Sequence, residues 1–217
     1  MIEIAHPNHR ERLLDEAKEA RLIGRERRLG EAIRGIYPVL LEETIVRDGE
    51  EITIRPSKPV DERRIQEHYY NLERSDIERR FFQNRASFGR NDVEPVTQVD
   101  YIKDLTFVAV VGEFGFGRVV GVGEYLLLVD SNMAEVAFSI STGYQGKGIG
   151  SLLIRKLARA ARDNGISGLL AYTFPDNRGM ISLFKSLPYQ VKTSFDGESL
   201  KLSCRFDEMK DSDIIKG

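Results

Sequence analysis

The sequence predicts an α/β (α+β) fold on one mixed, mostly antiparallel, twisted sheet of about six or seven strands, flanked by about four helices. Three observations predict it. Residues 107–111, 119–129 and 134–140 are apolar or alternating runs separated by turn residues, which reads as a meander. The third run passes through a glycine-rich turn, Gln145-Gly146-Lys147-Gly148-Ile149-Gly150, into an amphipathic helix. The chain then closes on two more alternating runs, 189–195 and 200–206, joined at Asp196-Gly197 as a hairpin.

The elements follow in order. Over 9–23, Leu13, Leu14, Ala17 and Ala20 share one face opposite Glu11, Asp15, Glu16 and Lys18, a helical period that Gly24 stops. Charged 25–30 and an arm over 37–45 complete a first segment, 1–50, too short for its own core and read as a helical extension or linker. Ile52 and Ile54 begin a strand that Pro56 closes. Ile65, Tyr69 and Leu72 mark a helix over 61–72, and Ser75-Asp76-Ile77-Glu78 matches a capping box opening a short helix through Phe82. Residues 83–99, with Asn84, Gly89, Asn91 and Pro95, read as a long loop bordering a substrate. After the meander, Ile149, Leu153, Leu157 and Ala160 line the long helix, which Asn164-Gly165 stops. A buried strand follows over 169–174. Asp176 or Asn177 caps a helix carrying Met180, Leu183, Phe184 and Leu187, and 207–217 is a polar tail.

Composition narrows the class. Among 217 residues, 32 basic side chains nearly balance 34 acidic ones, which speaks against a polyanion-binding or membrane-surface protein. No apolar run reaches the ~18 residues of a span, and the N-terminus lacks a signal-peptide layout. The single Cys204 excludes an internal disulfide and fits a reducing cytoplasm, and its inward place on the hairpin reads as packing. His6, His9 and His68 are scattered, form no metal-ligand spacing and read as surface or helix residues.

The stretch 134–165 carries the chemistry. A strand, a glycine turn and a helix start present free N–H groups and a partial positive charge, a site for a phosphorylated cofactor. A Walker loop needs Ser or Thr after Gly-Lys, but Lys147 precedes Gly148. A dinucleotide fingerprint needs G-x-G-x-x-G early in a strand-helix-strand unit; this spacing is G-x-G-x-G and lies late.

Gln145-x-x-Gly148-x-Gly150 between a strand and a cationic helix resembles the acyl-CoA motif of the GNAT superfamily of N-acyltransferases, and the element order over 51–206 is that of the GNAT fold. Asn177, Leu183-Phe184 and Leu187-Pro188-Tyr189 look like the family's second motif. The resemblance implies that acetyl-CoA is co-substrate, with no metal. Its pyrophosphate would meet the amides of Gly146, Lys147, Gly148, Ile149, Gly150 and Ser151 behind Gln145. Its pantetheine would run along the strand at Phe138, Ser139 and Ile140, with Asn177 and Phe184 of the second motif beside it. Phe184 stands where many members have a tyrosine that can protonate the leaving thiolate, and Pro188 replaces the usual glycine. A thiolate leaves without an acid, so catalysis survives; Tyr172 or Tyr144 could take the role.

An attacking amine must be neutral, so a base is useful. Glu135, at the head of the motif strand and alternating with Phe138, is the leading candidate, and the resemblance supports it because many protein-lysine acetyltransferases use a glutamate near this place. Its bland reading is a cross-strand partner for a cation. Glu124 on the preceding strand is the second candidate. A backbone N–H near Phe138 would take the oxyanion. Arg79-Arg80-Phe81-Phe82 reads as a helix end rather than a nucleic-acid patch.

Ile4-Ala5-His6-Pro7-Asn8-His9-Arg10-Glu11-Arg12-Leu13-Leu14-Asp15-Glu16-Ala17 resembles the C-terminal end of acetyl-CoA hydrolase/CoA-transferase enzymes. The arm from Tyr37-Pro38 to Ile52-Thr53-Ile54-Arg55-Pro56 resembles the junction to a GNAT domain in fusions with such enzymes or with acyl-CoA synthetase-like modules. The expected function is therefore a cytoplasmic N-acetyltransferase attacking acetyl-CoA directly with a protein lysine, on an acyl-CoA metabolic enzyme for instance. The alternatives are a small-molecule amine acceptor and a non-catalytic acyl-CoA sensor regulating a CoA-transferase partner. Acceptor, acyl length and oligomeric state are left open.

Overall fold

A computed structural model describes residues 16–17, 19–20 and 37–210, apart from Asn84, Ala86, 113–116 and Asp196. The helix read over 9–23 lies outside the described residues except for Glu16, Ala17, Glu19 and Ala20, as does the tail over 211–217. One eight-stranded sheet runs in the order β1-β2-β3-β4-β5-β6-β8-β7. Its strands are β1 (Glu43–Arg47), β2 (Glu50–Pro56), β3 (Asp104–Val111), β4 (Arg118–Leu128), β5 (Met133–Ile140), β6 (Gly168–Thr173), β7 (Tyr189–Phe195) and β8 (Leu200–Met209). Every neighbouring pair is antiparallel except β5 and β6.

Among the described residues, five α-helices flank the sheet: α1 (Glu62–Tyr70), α2 (Arg74–Phe81), α3 (Arg90–Thr97), α4 (Ile149–Asp163) and α5 (Arg178–Lys185). Period-two alternation gives the sheet two buried faces. Phe107, Ala109, Val136 and Leu169 join Ile149, Leu153 and Leu157 of α4 in the larger core. Val108 and Val122 join Ile65 and Tyr69 of α1 and Val93 and Val96 of α3 in the smaller one.

Three expectations are corrected. The sheet starts at Glu43, not in the fifties, because Asp48-Gly49 turns β1 back onto β2 with Arg47 opposite Glu50; this is the strand beyond the six or seven expected. The loop read over 83–99 contains α3, where burial of Val93 and Val96 overrides Pro95. Asp92 accepts from Gly89 N–H at 2.9 Å to start that helix. Finally, α2 begins at Arg74 after Glu73, with no side-chain cap, so Ser75 lies inside the helix rather than capping it.

The final hairpin forms as read, with β8 inserted between β6 and β7 and Cys204 buried. Among the described residues no helix is long and apolar enough to cross a membrane.

Candidate active site

The site begins where the sheet opens. β5 and β6 pair only at Met133–Gly168, Ala134–Leu169 and Glu135–Leu170, and then part. Beyond Glu135, β5 keeps its ladder to β4, while its edge toward β6 has no strand partner among the described residues. Such an edge offers backbone donors and acceptors to an extended ligand. A cleft of about 680 Å³ lies there, within the range of small-molecule sites. Phe138, Ser139 and Ile140 of β5 line it, with α2 along one side and the starts of α4 and α5 at the other.

The phosphate-side wall is the glycine turn. Gly148 occupies the N-cap of α4 at φ 80°, and no side chain caps the helix. The first N–H groups of α4, at Ile149, Gly150 and Ser151, are thus left for an anion. Gly146, Gly148, Ile149, Gly150 and Ser151 all border the cleft. Close approach of α4 to the sheet depends on β4: a Cβ on Gly123 would lie 2.9 Å from the Phe138 ring and 3.2 Å from Leu153 Cβ.

Gln145 is a tie rather than a free ligand. Its Nε2 donates to Ile140 O at 3.0 Å and to Asp76 Oδ2 at 2.8 Å, joining the turn to β5 and to α2. The Lys147 side chain turns to the β1–β2 hairpin, with Nζ 2.8 Å from Asp48, while its carbonyl accepts from Arg47 Nε at 3.1 Å. What Lys147 offers the turn is its main chain.

At the other end lie the carboxylates. Glu135 borders the cleft, and partial burial raises its pKa above the usual glutamate value, opposed by Arg80 and reinforced by Glu124. Glu124 lies across the β4–β5 ladder, opposite Ala137, and is held in an ion pair with Arg80. Its Oε2 is buried without a hydrogen-bond partner, and Glu124 does not border the cleft. The two candidate bases therefore differ: Glu135 reaches the cleft and Glu124 is engaged behind it.

A family model described as "Acetyltransferase (GNAT) family" matches residues 69–188, which span the cleft from α1 to the end of α5. The chain belongs to the GNAT acetyltransferase family. Among its relatives, Acetyltransferase PA5475 of Pseudomonas aeruginosa is 29% identical over 142 residues, covering 65% of this chain and 76% of that protein. Acetyltransferase Pat of Mycolicibacterium smegmatis is 32% identical over 143 residues, 65% of this chain but only 42% of Pat. The solved GNAT domain of S. lividans PAT superposes with a TM-score of 0.70 at 27% identity, covering 79% of this chain and all of that one.

Within this GNAT site, second-motif residues divide. Asn177 borders the cleft and caps α5: its Oδ1 accepts from Met180 N–H at 3.1 Å, and its Nδ2 donates to Thr173 Oγ1 at 2.8 Å. Phe184, expected beside the cofactor, faces the other way. It is 0% exposed in the larger core, and Leu183 borders the cleft instead. The helical repeat explains this, since adjacent residues point about 100° apart. Of the two tyrosines, Tyr144 has its hydroxyl engaged by Glu50 at 2.8 Å and by Arg118 at 2.7 Å. Tyr172 presents an exposed ring to the cleft.

His68, read as a surface or helix residue, lies on α1 and is buried rather than at the surface. It is 2% exposed, with Nε2 2.9 Å from Ser139 Oγ and Nδ1 3.2 Å from Ser141 Oγ, and so braces the far end of β5. Arg80, read as part of a helix end, is the counter-ion of Glu124. Neither role has a local sequence signal, because each joins residues far apart in the chain.

Proposed function

We propose that this GNAT acetyltransferase moves the acetyl group of acetyl-CoA directly to a protein lysine, with Glu135 as base. The observation that carries the reading is the join of two features in one cleft. The uncapped α4 start suits a pyrophosphate, and the open β5 edge leads from it toward Glu135. The residues Gly146, Gly148, Ile149, Gly150 and Ser151, with the main chain of Lys147, would hold the phosphates. The β5 edge at Phe138 and Ile140 would pair with the pantetheine amides, and a β5 N–H would receive the oxyanion.

The substrate ammonium loses its proton to Glu135, directly or through one water. The amine nitrogen then bonds to the thioester carbon, and the tetrahedral adduct gives its second nitrogen-borne proton to water as the carbon–sulfur bond breaks. The thiolate takes a proton from solvent or from Tyr172, which borders the cleft. A raised Glu135 pKa suits this work, because a stronger base accepts the proton more readily. Glu124, already committed to Arg80, serves as background charge rather than as base.

The N-terminal similarity to CoA-transferases makes an acyl-CoA metabolic enzyme the acceptor to try first. The test is mass spectrometry of such an enzyme after incubation with acetyl-CoA and the wild-type chain or Gly148→Glu. Wild type should acetylate lysines, and the substituted turn, with bulk and negative charge against the phosphates, should bind and transfer at least about a hundredfold less. Undiminished acetyl-CoA binding by Gly148→Glu would sink the cofactor placement.

A further inference from the structure

The Glu135 end of the cleft carries aromatic side chains that the acetyl transfer itself does not use. Phe82, just past the end of α2, is 44% exposed and borders the cleft. Its backbone sits at φ 54°, ψ 19°, a left-handed conformation unfavourable for a non-glycine residue. Strain of this kind persists where surroundings fix it and gathers at functional positions. The Phe82 ring packs on the half-buried Phe174, one residue past β6 and outside the cleft lining, with centroids 5.1 Å apart and planes inclined by 43°. Tyr172, two residues earlier, borders the same cleft and is 37% exposed.

The orientation of α2 fixes which end this is. Its start meets the phosphate-side turn through Asp76 and Gln145, and its end meets the carboxylates through Arg80 and Glu124. Phe82 therefore stands at the Glu135 end, where the amine would enter.

We propose that Phe82, Tyr172 and Phe174 form an aromatic collar that grips the aliphatic stem of the acceptor and makes the site selective for long-stemmed amines, lysine above shorter homologues. The inference rests on the acetyl-transfer reading above. An exposed Phe82 ring on the cleft wall is costly in water unless apolar matter lies against it. A lysine stem supplies four methylenes and delivers its nitrogen past the rings toward Glu135. Each methylene in an apolar slot contributes discrimination of roughly tenfold or more. A shorter stem cannot fill the collar and also reach the thioester.

The test uses peptides that differ only in the acceptor residue: lysine, ornithine or 2,4-diaminobutyrate. Wild type, Phe82→Gly and Phe174→Ala are compared in kcat/KM, alongside KM for acetyl-CoA. Phe82→Gly removes the ring while relieving the left-handed backbone, so its fold should hold; Phe174→Ala removes the partner from the other side. Wild type should prefer lysine to diaminobutyrate by at least about tenfold, and each variant should compress that preference to within about threefold. KM for acetyl-CoA should stay within about twofold. A preference for lysine that survives both variants overturns the collar while leaving acetyl transfer intact. Failure of wild type to acetylate any peptide, seen without reference to the variants, overturns both readings.

Discussion

Arg80 and Glu124 form an ion pair between α2 and β4, with Arg80 on the cleft wall that also carries Glu135 and Glu124 behind it. The pair bonds a helix to the sheet and leaves one glutamate oxygen buried without a hydrogen bond. Removing the cation alone would leave a largely enclosed carboxylate uncompensated. Arg80→Met should cost about 3 kcal/mol in urea denaturation at neutral pH, at the low end for a broken buried pair because both groups keep some exposure. The double variant Arg80→Met/Glu124→Gln should regain most of that loss. Equal losses in single and double variants would show that the arginine acts through packing alone.

Glu135 predicts a pH profile. Its pKa lies above the ordinary glutamate value, chiefly through burial. The base acts when ionised, so kcat/KM should rise with pH through that raised pKa and fall away below it. The acidic limb should vanish in Glu135→Gln and persist in Glu124→Gln. An acidic limb unchanged by Glu135→Gln would assign the titration elsewhere.

His68 predicts a pH dependence of stability. Burial lowers its pKa from 6.5 to about 4, so the unfolded chain binds the proton more tightly than the folded one. The stabilisation is therefore fully present above about pH 6.5 and is lost as pH falls toward 4. Between pH 7 and pH 4.5 wild type should lose about 2 kcal/mol more than His68→Gln, which keeps polar contacts to Ser139 and Ser141 but cannot titrate. Parallel stability curves for the two proteins would contradict the buried neutral imidazole.

Two glycines on β4 should behave differently. A Cβ on Gly121 meets Ile140 Cδ1 at 2.9 Å, the free end of a flexible side chain. A Cβ on Gly123 meets the Phe138 ring at 2.9 Å and Leu153 Cβ at 3.2 Å, so it presses on the cleft wall and on α4 together. Gly123→Ala should cost about 1–3 kcal/mol and raise KM for acetyl-CoA, with a smaller effect from Gly121→Ala. Calorimetry with steady-state kinetics measures both. A larger effect at Gly121 would contradict this packing.

The fold was legible where the pattern was local and periodic: the alternating meander, the glycine turn into α4, the Asn177 cap and the final hairpin. The errors have separate causes. In α3, Pro95 and Asn91 argue for a loop, and only Val93 and Val96 meeting α1 across the chain make a helix worthwhile. β1 carried a readable signal in Asp48-Gly49, obscured by the long charged arm before it. At the site, Glu135 and the α4 start could be found from strand parity and glycine spacing. Glu124 stood as the second candidate because its arginine comes from a helix far away in sequence. Phe184 was placed by motif rather than by face, and one step along a helix separates the cleft from the core.

The central claim is most directly tested by Glu135→Gln in a single-turnover assay with saturating acetyl-CoA and a lysine peptide. The account predicts acetyl-CoA binding within about threefold of wild type and transfer slowed about a hundredfold or more. Transfer at the wild-type rate with binding intact would contradict it.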